Sequence, residues 1–195
     1  MQNTTKKEME KVEKTQSSVT RRIIQIGVLS AIAFVLYFIL EFPLLPGAPF
    51  LKFDFSDIAS VVGGFALGPV AGVLIQLIKN VLHIFLKAND GTPIGELANF
   101  VIGIAYMLPA VWIYRRNKTR KTALIGMAVG SVCLPLVAAV FNYFVFIPLY
   151  SPGLLQSGAG AYIMSVIIPF NFLKGVIISV ITFILYRYLS PVLKR

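Results

Sequence analysis

Long uncharged apolar runs constrain this chain more than any motif does. Ile23–Leu40, Ile58–Ile78, Leu97–Tyr114, Thr122–Tyr150 and Leu154–Leu173 contain no Asp, Glu, Lys or Arg. At about 1.5 Å of helical rise per residue, roughly 20 such residues cover the hydrocarbon core of a bilayer. A soluble protein of 195 residues could bury one helix of this kind, but not five. Composition agrees, with 57% hydrophobic residues, 13% charged and a mean hydropathy of +0.80. Glycines and prolines inside the runs are compatible with membrane helices, whose freed backbone groups find partners in neighbouring elements. The fold class expected is all-α, an integral membrane bundle.

Charge placement sets the expected orientation. The chain has 18 Lys and Arg against 8 Asp and Glu. Most of the basic residues fall in three clusters: Lys6, Lys7, Lys11, Lys14, Arg21 and Arg22; Arg115, Arg116, Lys118, Arg120 and Lys121; Arg187, Lys194 and Arg195. Cytoplasmic loops collect Lys and Arg, so all three clusters, and with them both termini, are expected in the cytoplasm. The net charge of +10 is thus a topology signal and gives little reason to invoke nucleic acid. Between the first two clusters the chain must cross an even number of times. Ile23–Leu40 and Leu97–Tyr114 supply two crossings, so Ile58–Ile78 must supply none or two. Its Gly63-Gly64-Phe65-Ala66-Leu67-Gly68-Pro69 centre reads as a turn. We therefore divide it into a short helix near Phe55–Leu67 and a second near Val70–Lys87. Helices near Thr122–Ile147 and Ala161–Tyr186, joined outside by Ser151 to Gly160, complete six transmembrane helices. Residues 1–20 are polar and are expected to form a flexible cytoplasmic tail, leaving 21–195 as one membrane domain. The first apolar run is longer than a secretory signal core and has no small-residue cleavage site before Glu41-Phe42-Pro43, so it is read as an uncleaved helix.

Polar side chains inside a membrane are costly and point to function. Glu96 and Asn99 are three apart at the outer end of the fourth helix and share a face. Lys79, Asn80 and His83 share much of a face on the outer part of the third. Asn142 lies in the outer third of the fifth helix, and Asn171 and Lys174 are three apart near the middle of the sixth. A lysine that deep requires an anionic or carbonyl partner. The polar map thus describes an outward-facing pocket. Above it the segment Glu41–Asp57 is stiffened by prolines and carries Phe42, Phe50, Phe53 and Phe55, too apolar to lie free in water. It is expected to fold over the mouth of the bundle, where aromatic faces cover a flat ligand. The alternative is an interfacial anchor, with Ser56 or Asp57 capping the second helix.

Little else carries chemistry. Cys133 is the single cysteine and His83 the single histidine, so neither a disulfide framework nor a metal cluster is encoded. No Gly-x-x-x-x-Gly-Lys-Ser/Thr loop is present to cradle ATP phosphates. A membrane-embedded hydrolase would have Ser56 near Lys52 as its only credible nucleophile, a poor candidate.

Phe50-Leu51-Lys52-Phe53-Asp54-Phe55-Ser56-Asp57, the Leu67-Gly68-Pro69 turn, Lys79-Asn80 with His83, and Asn171-x-x-Lys174 resemble the riboflavin-binding S component of bacterial energy-coupling factor (ECF) transporters. The resemblance covers roughly residues 20–190. It implies a six-helix subunit of the bacterial cell membrane that captures riboflavin from outside, as ligand rather than cofactor. It also implies a transmembrane coupling subunit and two cytoplasmic ATPases as partners, with membrane lipid around them. In that family small residues four apart on the first helix meet the coupling subunit, and the matching pair here is Gly27 and Ala31. An S component for another vitamin is the nearest alternative.

The charge map makes one direct prediction. In intact cells a cysteine placed at Asp90 should react with an impermeant thiol reagent, and one at Asn117 should not. The reverse pattern would invert the topology.

Overall fold

The computed structural model describes residues 2–45, 51–86, 93–150 and 152–193. Helix α1 runs without a break from Gln2 to Ile39. A short antiparallel hairpin follows, β1 (Phe42–Pro43) paired with β2 (Lys52–Phe53). Then come α2 (Ser56–Leu67), α3 (Pro69–Leu86), α4 (Pro93–Asn117) and α5 (Arg120–Phe141). The fifth helix continues through a π-helical turn, Asn142–Phe146, into α6 (Ile147–Tyr150). Helices α7 (Pro152–Ser157) and α8 (Ala159–Tyr162) lead through a second π turn, Ile163–Ile167, into α9 (Ile168–Leu193). Among the described residues five helical spans are long and apolar enough to cross a membrane, and α2 is a shorter apolar helix. The bundle of five long helices plus one short one matches the expected division of Ile58–Ile78. The boundary expected at residue 20 is not marked by any break in α1. The outer connection is also more ordered than a turn, since Pro152–Ser157 is helical.

Twelve residues of helix reach only about 18 Å, well short of a bilayer core. The structure shows why α2 need not be longer. It sits in the middle of the bundle, packed against α1, α3, α4 and α9. Its N-terminus starts inside the protein, because Asp54, Ser56 and Asp57 are all buried. The chain from Phe53 to Asp57 therefore dips into the bundle, shielded by protein, the condition under which irregular backbone survives at membrane depth. The capping by Ser56 or Asp57 that the alternative reading offered is not formed; Asp54 Oδ1 accepts the Ser56 N–H at 2.9 Å and also the Ser56 hydroxyl.

At the other end of α2 the chain turns at Gly68, whose φ of +107° is open to glycine and strained for other residues. Arg22 donates to the Leu67 carbonyl at 2.7 Å, and the Arg115 guanidinium lies against Gly68. Members of the first two basic clusters thus meet at the α2–α3 turn. Both α2 and α3 run between this basic end and the hairpin end, as the division of Ile58–Ile78 into two helices requires. The α4–α5 connection is short, formed by Lys118 and Thr119 at the C-terminal end of α4. Thr119 caps α5 by accepting the Thr122 N–H at 3.1 Å, with Lys118 at a positive φ of 46°.

Two prolines explain the two π turns. Pro148 and Pro169 lack an N–H, and in an α-helix their rings would press on the carbonyl one turn back. In each case the residue just before proline bonds five residues back instead, Ile147 N–H to Asn142 O and Ile168 N–H to Ile163 O. The widened turn relieves the clash and shifts the phase of the helix beyond it. The two π turns touch each other. A core of Phe65, Tyr106, Met107, Val111, Tyr114, Met127, Leu134, Ile178 and Tyr186 fills the space between α2, α4, α5 and α9.

Helices α4 and α5 approach unusually closely. Gly126 and Gly130 are four apart on α5, the spacing that lets membrane helices pack backbone to backbone. A Cβ added at Gly130 would lie 2.6 Å from the Tyr106 carbonyl oxygen, and one at Gly126 2.5 Å from that of Ala110. Backbone cannot move aside as a side chain can. Gly130→Val should therefore force α4 and α5 apart and cost about 1–3 kcal/mol, read as a lower melting temperature of the detergent-purified protein.

Candidate functional site

Four ionised groups lie buried where the hairpin enters the bundle. Lys174, on α9, places its Nζ 3.3 Å from Asp54 Oδ2 and 3.0 Å from Asp57 Oδ2. Lys79, on α3, sits 2.6 Å from the other oxygen of Asp57 and also donates to the Ser56 hydroxyl. Its ammonium stands 5.4 Å from the centre of the Tyr37 ring, in cation–π contact. Gln76 adds a donor to Asp57 Oδ1 at 2.8 Å. Two carboxylates and two ammoniums balance, as a dry site demands.

An ammonium has three N–H donors, and the two lysines use theirs differently. Lys79 is met by Ser56, Asp57 and the Tyr37 ring. Among the described residues Lys174 donates to Asp54 and faces Asp57 Oδ2 as an ion pair without a hydrogen bond, which leaves N–H capacity for a guest. Lys174 has the anionic partners expected for it, and they belong to the 41–57 segment that the polar map left out of the pocket.

A second cluster adjoins the first through Tyr37 of α1. The Tyr37 ring stacks on His83 with centroids 3.9 Å apart, and its hydroxyl donates to Glu96 Oε1 at 3.1 Å. His83 Nδ1 faces the same carboxylate oxygen at 2.7 Å. Asn99 is half-buried and lies one turn from Glu96 on α4. Asn80 holds the Gln76 carbonyl at 2.7 Å. Lys79, Asn80, His83 and Glu96 are thus brought together as expected, in a cluster that ties α1 to α3 and α4. Asn80 Oδ1, His83 Nε2 and Glu96 Oε2 are buried with no hydrogen-bond partner among the described residues.

Asn142 and Asn171 belong to the proline-widened turns. Asn142 begins the first, and its amide donates to Ala138 O at 2.8 Å. Asn171 follows the second by one turn and donates to Ile167 O at 2.9 Å. Each amide gives one N–H to its own helix, so its second N–H and its carboxamide oxygen are the groups left for a guest.

The aromatic cover is a built cluster. Phe53 is 1% exposed and packs edge-on against Phe55 at 5.0 Å, with Phe42 5.6 Å from Phe53. Lys52 and Glu41 close the hairpin at 3.3 Å. Phe53 is therefore a core residue that seats the hairpin, while the half-buried Phe55 and exposed Phe42 present ring surface. Phe50 lies outside the described residues.

Residues that sequence reasoning missed are Tyr37, Asp54, Asp57, Ser56 and Gln76. One signal pointed to the acids: two intramembrane lysines require two anions, and the Asp pair at 54 and 57 is the nearest supply in a chain with so few. Tyr37 carried no signal, since a tyrosine in an apolar helix reads as ordinary lining.

On α1 the pair expected to dock a partner is free. Nothing lies within 4 Å of a Cβ built on Gly27, and Ala31 is exposed, within the least buried of the five spans.

A membrane bundle with a buried, charge-balanced polar site and an aromatic cover is built to hold a solute. The description "ECF transporter, substrate-specific component" fits residues 21–186, and the chain belongs to that family. It is a transport component working with other subunits of its transporter, and the enzyme alternative falls with that assignment. Among its relatives are the riboflavin transporter RibU of Staphylococcus aureus, 40% identical over 90% of this chain and 93% of the relative, and the riboflavin transporter FmnP of Bacillus subtilis, 32% identical over 88% and 93%. The solved structure of the S component of a bacterial ECF transporter matches with a TM-score of 0.76 and 40% identity, over 90% of this chain and 99% of the other.

Proposed function

We propose that this chain captures riboflavin from outside a bacterial cell for an ECF-type uptake transporter. The observation that carries the reading is Lys174, a buried ammonium with N–H capacity beyond its bond to Asp54, one turn below Asn171 in a chain whose relatives are named riboflavin transporters. Riboflavin joins a flat, largely apolar ring system with hydrogen-bonding edges to a hydroxylated tail. Such a molecule suits an apolar pocket with a few placed polar groups. Phe55 covers the ring, and Phe53 fixes the hairpin that carries it. Lys174 donates to a ring carbonyl or tail hydroxyl. Asn142, Asn171 and Asn99 supply the remaining polar contacts, while Glu96, His83 and Asn80 hold the wall behind Asn99. The basic end of the bundle faces the cytoplasm and the hairpin end faces outward.

Flavin fluorescence titration of the purified protein tests this. Removing one buried hydrogen-bond partner costs about 1–3 kcal/mol, so Lys174→Ala should bind about five- to 150-fold more weakly. Asp54→Asn with Lys174→Ala keeps the charge balanced and should bind as weakly while melting closer to wild type. Equal affinity would remove Lys174 from the site, and a wild type that binds no flavin would overturn the substrate.

Energy comes from elsewhere, from a transmembrane coupling subunit and two cytoplasmic ATPases. The coupling subunit docks on α1 at Gly27 and Ala31, where small residues four apart admit a helix closely. Trp at either position has room in the isolated chain. Both variants should therefore bind riboflavin normally and lose energised uptake, and normal uptake would place the docking face elsewhere.

A further inference from the structure

Among the described residues Asp57 is the one carboxylate that touches both buried lysines. Its Oδ2 lies 3.0 Å from Lys174 and its Oδ1 2.6 Å from Lys79, with the side chain 1% exposed. The two lysines come from α9 and α3 and sit at opposite oxygens of one group. Lys79 is fully buried, donates to Ser56 and Asp57, and has the Tyr37 ring against its ammonium. Its link to Lys174 runs through Asp57.

We propose that Lys79 and Asp57 are positioning residues for ligand capture: by holding Asp57, Lys79 limits that carboxylate's grip on Lys174 and keeps one Lys174 N–H available. This rests on the reading that Lys174 contacts riboflavin. The physical cause is charge sharing in a medium with no water to screen it. With Lys79 present, two carboxylates face two ammoniums. With Lys79 neutral, Asp54 and Asp57 both turn on Lys174, and the ammonium is drawn into its acids and away from the guest. With Asp57 also neutral, Asp54 and Lys174 form a balanced pair and the donor is released again.

The pairing of variants separates this from a scaffold role. Lys79→Met keeps much of the side-chain volume and removes the charge. It should weaken riboflavin binding by about tenfold or more, the scale expected when a buried charge loses its partner. Asp57→Asn combined with Lys79→Met should bind within about threefold of wild type, because the charge count is restored. If both residues were only structural props, the double variant would bind no better than Lys79→Met, and that result overturns the proposal. Should Lys79→Met fail to fold, a double variant that folds and binds near wild type supports charge sharing, and one that folds and binds weakly refutes it. Wild type is titrated alongside: no flavin binding there overturns the substrate reading and this proposal together, whereas tight wild-type binding with an unaffected Lys79→Met overturns only this one.

Discussion

A buried charge inside a bilayer has only the protein to answer it, and the rest of this structure is arranged around that requirement. Asp54, Asp57, Lys79 and Lys174 satisfy it together, joining hairpin, α2, α3 and α9 at one point. Removing one partner from such a cluster is far more damaging than replacing all of it with apolar groups, since the survivor is left uncompensated. The cluster therefore does more to specify arrangement than to add stability. It holds the hairpin inside the bundle, where Phe53 is sealed and α2 can begin at depth. The shortness of α2 has the same origin, because a helix that starts within the protein has less membrane left to cross.

Backbone irregularity is concentrated at the same level. Each proline-widened turn carries a site asparagine at its start or just beyond it, and the two turns lie side by side. Widened turns of this kind are frequent at functional sites because they re-aim side chains without breaking a helix. The long helices also pack by small residues, Gly126 and Gly130 against α4 and Gly175 against Ser131 of α5. Helix α1 stands apart from both. It packs inward through Ser30, Ala33 and Tyr37 and leaves Gly27, Val28, Ala31 and Ile32 open on its other side. Through Tyr37 this peripheral helix reaches the polar cluster.

The membrane class, the number and order of helices and the grouping of basic residues at one end were legible in the sequence, because each depends on local composition and length. The division at Gly68-Pro69 was legible for the same reason: proline and glycine restrict or free the backbone whatever surrounds them. The depth of Asn171 and Lys174 could also be counted along a helix. Pairing could not. Asp54 and Lys174 are 120 residues apart, and nothing local says that an acid in an apparent outer loop descends to meet a lysine in the last helix. Nor could the π turns be read, since a proline in a membrane helix is relieved by a kink, a neighbour or a wider turn, and packing chooses among them. Residue types and their order along each helix determined that a polar site exists at mid-membrane. Which acids answer the two lysines was decided only when the folded chain set both at one carboxylate, because charge compensation without water acts between whichever groups the packing brings within reach.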